Sequence, residues 1–223
     1  MRGMRKLPWP VRASVAAGLL AFTSAASGQG VADCGELRNN YGPYDYTNAQ
    51  HFTEKLPRVE EHHYNIGVQN LTGTGITVAT EARMGSDIGY TLRAFPNHHR
   101  ALYTMMRYYA ELVPIGAARM RYDPLCWFDR AKRFAPHDAT VVMLEGIYYR
   151  KINKLEEAKK AYESALAMAP ESAEINYNAG LLYVDLKQYD RAVEVAEKAY
   201  ELGHPLPGLR NRLKRLGHWP ENG

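Results

Sequence analysis

The C-terminal half of the chain spaces its apolar residues with a helical period. Leu102, Met105, Met106, Tyr109 and Leu112 recur at offsets of three and four. That spacing predicts a helix from about His98 to Val113, with Asn97 as its N-cap. Val113–Pro124 then reads as an inserted loop before a helix around Cys126. Further on, Leu155, Ala158, Tyr162, Ala165 and Leu166 fall on one stripe, while Glu156, Glu157, Lys159 and Lys160 lie off it as a solvated face. Helical pairs are expected over Thr140–Lys151 with Leu155–Ala169, and over Ala173–Leu186 with Tyr189–Leu202. A last helix over Pro207–Leu216 sets Leu209, Leu213 and Leu216 among Arg210, Arg212, Lys214 and Arg215. Residues 29–96 are rich in Gly, Asn, Thr and Tyr, show no sustained period, and are expected to be irregular.

The two helical pairs are copies of one another. Segments 139–172 and 173–206 superpose at a period of 34 residues. Gly146, Tyr149, Ala158, Tyr162, Ala165 and Pro170 in the first stand where Gly180, Tyr183, Ala192, Ala196, Ala199 and His204 stand in the second. This spacing resembles the tetratricopeptide repeat family. The likeness reaches back to Phe128, Ala131 and Pro136, so it covers 97–138 as a divergent copy, then 139–172 and 173–206, with 207–223 as a cap. The chain departs from the family pattern in several places. Val142 and Asn176 replace the early Trp, Glu145 and Ala179 replace the Leu before Gly, Ala196 replaces an aromatic, and His204 replaces the closing Pro.

The resemblance implies an all-α fold: a short solenoid of helical hairpins, with an irregular N-terminal region and a C-terminal capping helix. Hairpins of this kind stack because none buries its apolar face alone. It also implies a concave surface along the first helices that receives a peptide or protein partner. Carried over, the groove residues are Thr140, Met143, Ile147 and Arg150, followed by Glu174, Tyr177, Asn178, Leu181 and Val184. Family members that clamp a terminal carboxylate place Lys, Asn and Arg at such positions. Met143, Ile147, Tyr177 and Leu181 suit apolar side chains instead. The alternative occupant is the segment 29–96 itself, folded into the groove.

The N-terminus changes the compartment. Residues 1–12 are basic, Ala13–Phe22 are largely apolar, and Thr23–Gly28 are small. This is the order of a secretory signal peptide, cleaved near Ala26 to Gly28. The apolar run is too short for a bilayer-spanning helix, which needs about 20 residues, and no later stretch is longer. The mature chain is therefore expected to be soluble, exported and periplasmic. The net charge of +4 comes from the leader, which holds Arg2, Arg5, Lys6 and Arg12 and no acid. Without it the chain is near neutral, so nothing argues for nucleic-acid binding. Cys34 and Cys126 are the whole cysteine complement, and an even pair in an exported protein is most simply a disulfide. The Cys34-Gly35 start, the run Tyr41–Tyr46, the run Tyr90–Leu102 and the repeats together resemble exported repeat proteins of Gram-negative bacteria.

The candidate chemistry is sparse. There is no nucleophile elbow, no P-loop and no dinucleotide fingerprint, and Gly73-Thr74-Gly75-Ile76 reads as a turn. No cofactor is implied. His62-His63 and His98-His99 are adjacent pairs, and neighbours on a helix point about 100° apart, so neither pair chelates a metal by itself. A metal-dependent hydrolase would need both pairs to converge, with His51 or Asp87. His98, His99 and Arg100 occupy the first turn of a predicted helix, where the macrodipole opposes positive charge. Two readings follow. Arg93, His98, His99 and Arg100 surround a small anion at the helix start, or they meet internal partners such as Asp87 or Glu60. The principal expectation is a non-enzymatic protein-interaction module, a scaffold or assembly factor for envelope or secretion machinery. The alternatives are the anion-binding protein and the hydrolase.

Overall fold

Three short helices and one long one occupy the segment expected to be irregular: α1 (Ala49–Glu54), α2 (Leu56–His63), α3 (Ile66–Asn70) and α4 (Val78–Ala94). The computed structural model describes residues 33–72 and 78–220. The leader and the Gly73–Ile76 turn lie outside the described residues. Every regular element among the described residues is a helix. None of them is long and apolar enough to cross a membrane. The first three are too short to display a period. Each starts by local chemistry instead: Asn48 and Asn65 cap α1 and α3 through their side chains, and Pro57 opens α2. In α4 the buried stripe is Met84, Ile88 and Leu92, with Gly85 and Gly89 between them diluting the signal.

The next helix, α5 (His99–Arg107), begins at His98, not Asn97. The His98 Nδ1 accepts the Ala101 N–H at 3.2 Å. Asn97 is committed elsewhere, as described below. After Arg107 the helix widens into a π-turn over Tyr108–Leu112 and ends as a 3-10 turn, Val113–Ile115. The connection to α6 (Pro124–Phe134) follows as expected.

From there the expected pairs form: α7 (Ala139–Lys151) with α8 (Leu155–Met168), and α9 (Ala173–Asp185) with α10 (Tyr189–Glu201), closed by α11 (Gly208–Arg215). The repetition extends to single bonds. Asp138 and Ser172 cap α7 and α9. Asn153 and Lys187 take the left-handed conformation in the two hairpin turns, with φ of 60° and 58°. Lys154 N–H donates to Tyr149 O at 2.8 Å, and Gln188 N–H donates to Tyr183 O at 2.8 Å.

Three departures from the repeat pattern have local explanations. Gly146 lets the fully buried Tyr162 ring pack against its backbone, and an added Cβ would lie 3.1 Å from that ring. In the second copy Ala196 leaves the corresponding space unfilled, and Leu209 of α11 fills it: a Cβ on Gly180 would lie 2.4 Å from Leu209 Cδ2. The cap thus replaces the absent aromatic. Glu145, 7% exposed, accepts from Lys132 of α6 at 2.7 Å on both oxygens. Asn176, 3% exposed, donates to the carbonyls of Pro170 and Ser172 at 2.8 and 2.9 Å. Both polar groups are satisfied, which is the condition for burying them.

At the other end, Cys34 and Cys126 form a disulfide across a sequence separation of 92. Arg130 of α6, 2% exposed, secures the same strand of chain. Its Nη1 donates to the carbonyls of Cys34, Gly35 and Glu36 at 2.9, 3.3 and 2.7 Å.

Two stability changes are expected. Gly180→Ala should lower stability by about 1–3 kcal/mol through overpacking against Leu209, read by denaturant unfolding, and pairing it with Leu209→Ala should recover part of the loss. The double change Cys34→Ser, Cys126→Ser should lower it by roughly 4–5 kcal/mol if chain entropy dominates. A loss below about 1 kcal/mol would show that the hydrogen bonds from Arg130 and Arg133 hold the segment without the bridge.

Candidate partner-binding groove

An open groove of about 980 Å³ runs over the starts of α7 and α9. Of the residues expected there, Thr140, Met143 and Ile147 from α7, and Glu174, Tyr177 and Asn178 from α9, do line it. Asn178 Nδ2 donates to Glu174 O at 2.9 Å and contacts the Met143 sulfur at 3.8 Å.

Arg150, Leu181 and Val184 do not line it. Arg150 and Val184 border a separate recess of about 670 Å³ beside α11. Arg150 pairs there with Asp185, which also accepts from Arg212 of α11 at 2.7 Å. Val184 is 3% exposed, and Leu181 packs partly buried against the core. The reason is the cap. Once α11 docks on α9, the C-terminal turns of α7 and α9 face a covered edge, so the carried-over stripe is open only along its first two turns.

The remaining walls come from residues that the repeat alignment does not contain. Helix α5 contributes Arg100, Tyr103, Thr104 and Arg107, and Tyr103 is 48% exposed. Tyr46, Tyr64, Gln69 and Asn70 close one end, and the turn Gly203–Leu206 closes the other. His204, where the family's Pro is missing, stacks on Tyr177 with ring centres 3.9 Å apart. The described residues of the N-terminal segment therefore form a wall of the groove and do not fill it. The α5 part of this wall was legible, since Arg100, Tyr103 and Arg107 share one polar face with an aromatic in its middle. Tyr46 and Tyr64 carry no such signal.

Beneath the groove lies a buried polar network. Asn97, fully buried, donates to Asp45 Oδ1 at 2.8 Å and Asp138 Oδ2 at 3.0 Å, and accepts the Tyr46 N–H at 3.0 Å. His98, also fully buried, lies between the rings of Tyr46 and Tyr64, at 4.4 and 4.9 Å. Its Nδ1 accepts from Ala101, so the proton of the neutral ring sits on Nε2, which donates to Glu60 Oε1 at 2.9 Å. Arg100 pairs with the same Glu60 oxygen, and His99 reaches Asp138 at 2.8 Å. Arg93 lies apart, over the Tyr90 ring at 5.8 Å.

The four cations expected to gather around an anion at the helix start thus do not converge. Three of them meet carboxylates, because Glu60 of α2 and Asp138 approach that turn in the tertiary structure. The histidine pairs separate in the same way, with His63 bonding Asp87 at 2.9 Å. Among the described residues no three of His, Cys, Asp and Glu gather as metal ligands.

The network sets the titration. Burial works to raise the carboxyls of Glu60, Asp138 and Asp45, but their hydrogen bonds and charged partners outweigh it and hold all three below the ordinary range. Burial pushes His98 down against the opposing pull of Glu60. Burial drives the Tyr64 hydroxyl up to about 12, where it bonds Thr104 at 2.7 Å.

Comparison with known proteins adds a family likeness for part of the chain. Residues 143–207 match the model of the tetratricopeptide repeat family. A stretch of 58 residues, 26% of the chain, is 36% identical to the Hsp70-Hsp90 organising protein of Plasmodium falciparum, of which it covers 10%. The chain thus spans about a tenth of the length of that curated relative. Among solved structures, a thermophilic TPR protein of Thermus thermophilus is 20% identical, with a TM-score of 0.49 over 62% of this chain and 73% of the other. MamA is 18% identical, with a TM-score of 0.41 over 66% and 83%.

The network predicts an acid-sensitive stability with a worked sign. The depressed histidine contributes fully above its ordinary value of 6.5 and loses that contribution as pH falls below it. The depressed carboxyls contribute fully above their ordinary 4.5 for Glu60 and 3.8 for the aspartates, and lose it as pH falls further. Unfolding free energy should therefore drop in two legs on acidification, the first with a slope of at most about 1.4 kcal/mol per pH unit. His98→Gln should flatten the first leg and leave the second.

Proposed function

We propose that the chain is an exported, non-catalytic interaction module that receives a segment of a partner protein in the groove over α5, α7 and α9. One observation carries this reading. The groove is open, about 980 Å³ in volume, and combines Tyr103, Met143, Ile147 and Tyr177 with a few polar groups such as Asn178 and Glu174. Mixed apolar and amide walls on a rigid helical frame suit an extended peptide or one face of a helix. Tyr side chains add contact area at low entropic cost. The match of residues 143–207 to the tetratricopeptide repeat family, whose members are generally protein-interaction modules, supports it.

The compartment is part of the proposal. The leader pattern directs the chain out of the cytoplasm, and the Cys34–Cys126 bridge suits an oxidising environment such as the periplasm. There the module would serve as a scaffold or assembly factor for envelope or secretion machinery. Both arginines of the α5 wall are already paired, Arg100 with Glu60 and Arg107 with Glu111, which favours side-chain recognition over capture of a chain terminus.

The test is peptide selection against the full processed protein, followed by titration of the selected sequences. Tyr103→Ala, at an exposed position, should weaken binding about tenfold or more, the size of a typical aromatic hot-spot loss, with an unchanged melting temperature. Glu163→Ala on the exposed face of α8 should leave binding as it is. If the selected peptides bind Tyr103→Ala as tightly as the parent protein, the groove is not the recognition surface.

A further inference from the structure

On the side of the molecule where α4, the 116–123 connection and α6 meet, arginines outnumber acids. Some arginines are paired with an acid four residues away: Arg107 with Glu111, Arg119 with Asp123 and Arg133 with Asp129, each within 3.0 Å. Arg93, Arg121 and Arg130 have no carboxylate partner among the described residues. They rest on aromatic faces instead. Arg121 and Arg130 both lie over the Tyr122 ring, at 5.3 and 5.1 Å, and Arg130 also lies over Trp127 at 5.8 Å. The cations sense one another. Burial and then Arg121 push the Arg93 guanidinium down. Burial pushes Arg130 down, with Arg133, Arg93 and Arg121 adding to it against Tyr122.

Arg93 and Arg121, but not Arg130, border a cavity. A recess of about 190 Å³ is lined by Ser86, Arg93, Arg119, Arg121 and Trp127. Liquid water takes about 30 Å³ per molecule, so the recess has room for a small oxyanion together with several waters. Gly89 keeps the space clear: a Cβ there would lie 3.4 Å from Arg93 Nη1 and 3.6 Å from the Trp127 ring. Trp127, 1% exposed, contributes a buried aromatic wall to the recess.

We propose that this recess binds a small tetrahedral oxyanion, a phosphate or sulfate group. Arg93 and Arg121 bring the charge, and the Ser86 hydroxyl acts as a neutral donor. Guanidinium forks match the spacing of such oxygens. No residue lining the recess lines the groove, so the two sites stand or fall separately. The exposed Arg121 at the rim also leaves room for the group to be carried on a larger molecule.

The experiment is calorimetric titration of the full processed protein with inorganic phosphate, sulfate, glycerol 3-phosphate and acetate at fixed ionic strength. Thermal melts in the same solutions accompany it. The proposal expects saturable one-to-one binding of phosphate or sulfate and a raised melting temperature. Affinity should fall at least about tenfold in Arg121→Gln, whose exposed side chain leaves the fold intact. Tighter binding of glycerol 3-phosphate than of phosphate identifies the group as part of a larger ligand. The proposal is overturned if phosphate and sulfate act no differently from chloride, if acetate binds as well as they do, or if Arg121→Gln binds as the parent protein does.

Discussion

Asn97 is the junction through which the N-terminal half is joined to the repeat stack. Its amide, sealed from water, bridges Asp45 in the N-terminal loop and Asp138 at the start of α7, while its carbonyl oxygen takes the Tyr46 backbone N–H. A buried amide is tolerated only when both its donors and its acceptor are used, and here they are. The arrangement is demanding, since moving any of the three segments leaves a carboxylate or an amide buried and unmatched. That cost gives one relative placement of α1–α4 and α7, and with it the end wall of the groove.

The same junction explains why α5 starts where it does. With Asn97 turned to the two aspartates, His98 takes over the cap and sits as a neutral ring among Tyr46, Tyr64 and Phe95. Its second nitrogen finds Glu60, which also holds Arg100. Positive charge in the first turn of a helix is unfavourable by itself, and the acids drawn in from α2 and from the cap of α7 offset it. A local conflict in the sequence is thus resolved by long-range pairing, not by a ligand at that place.

At the C-terminal end the constraint is volume. Ala196 leaves room beside Gly180, and Leu209 occupies it. This draws α11 onto α9 and covers the last turns of the repeat helices. The groove is shortened at that end and finished by the Gly203–Leu206 turn, with His204 stacked on Tyr177. A change in one core residue therefore decides which positions remain available to a partner, including the removal of Arg150 and Val184 from the surface that the repeat pattern assigns to them.

The sequence by itself determined the repeats. Gly146, Tyr149, Ala158 and Ala165 recur as Gly180, Tyr183, Ala192 and Ala199 because a two-helix unit must present the same small and large residues to its neighbours, and the helix bounds over 139–216 were legible to within a residue or two. The resemblance to the repeat family also marked Met143, Ile147, Tyr177 and Asn178 as groove residues, and these line the groove. Only the tertiary structure decided the rest. Helices α1–α3 are shorter than the period that would reveal them, and the stripe of α4 is diluted by glycines. The partners of His98, His99 and Arg100 lie dozens of residues away. Pairings of that kind depend on which surfaces are desolvated together, and no spacing along the chain encodes that.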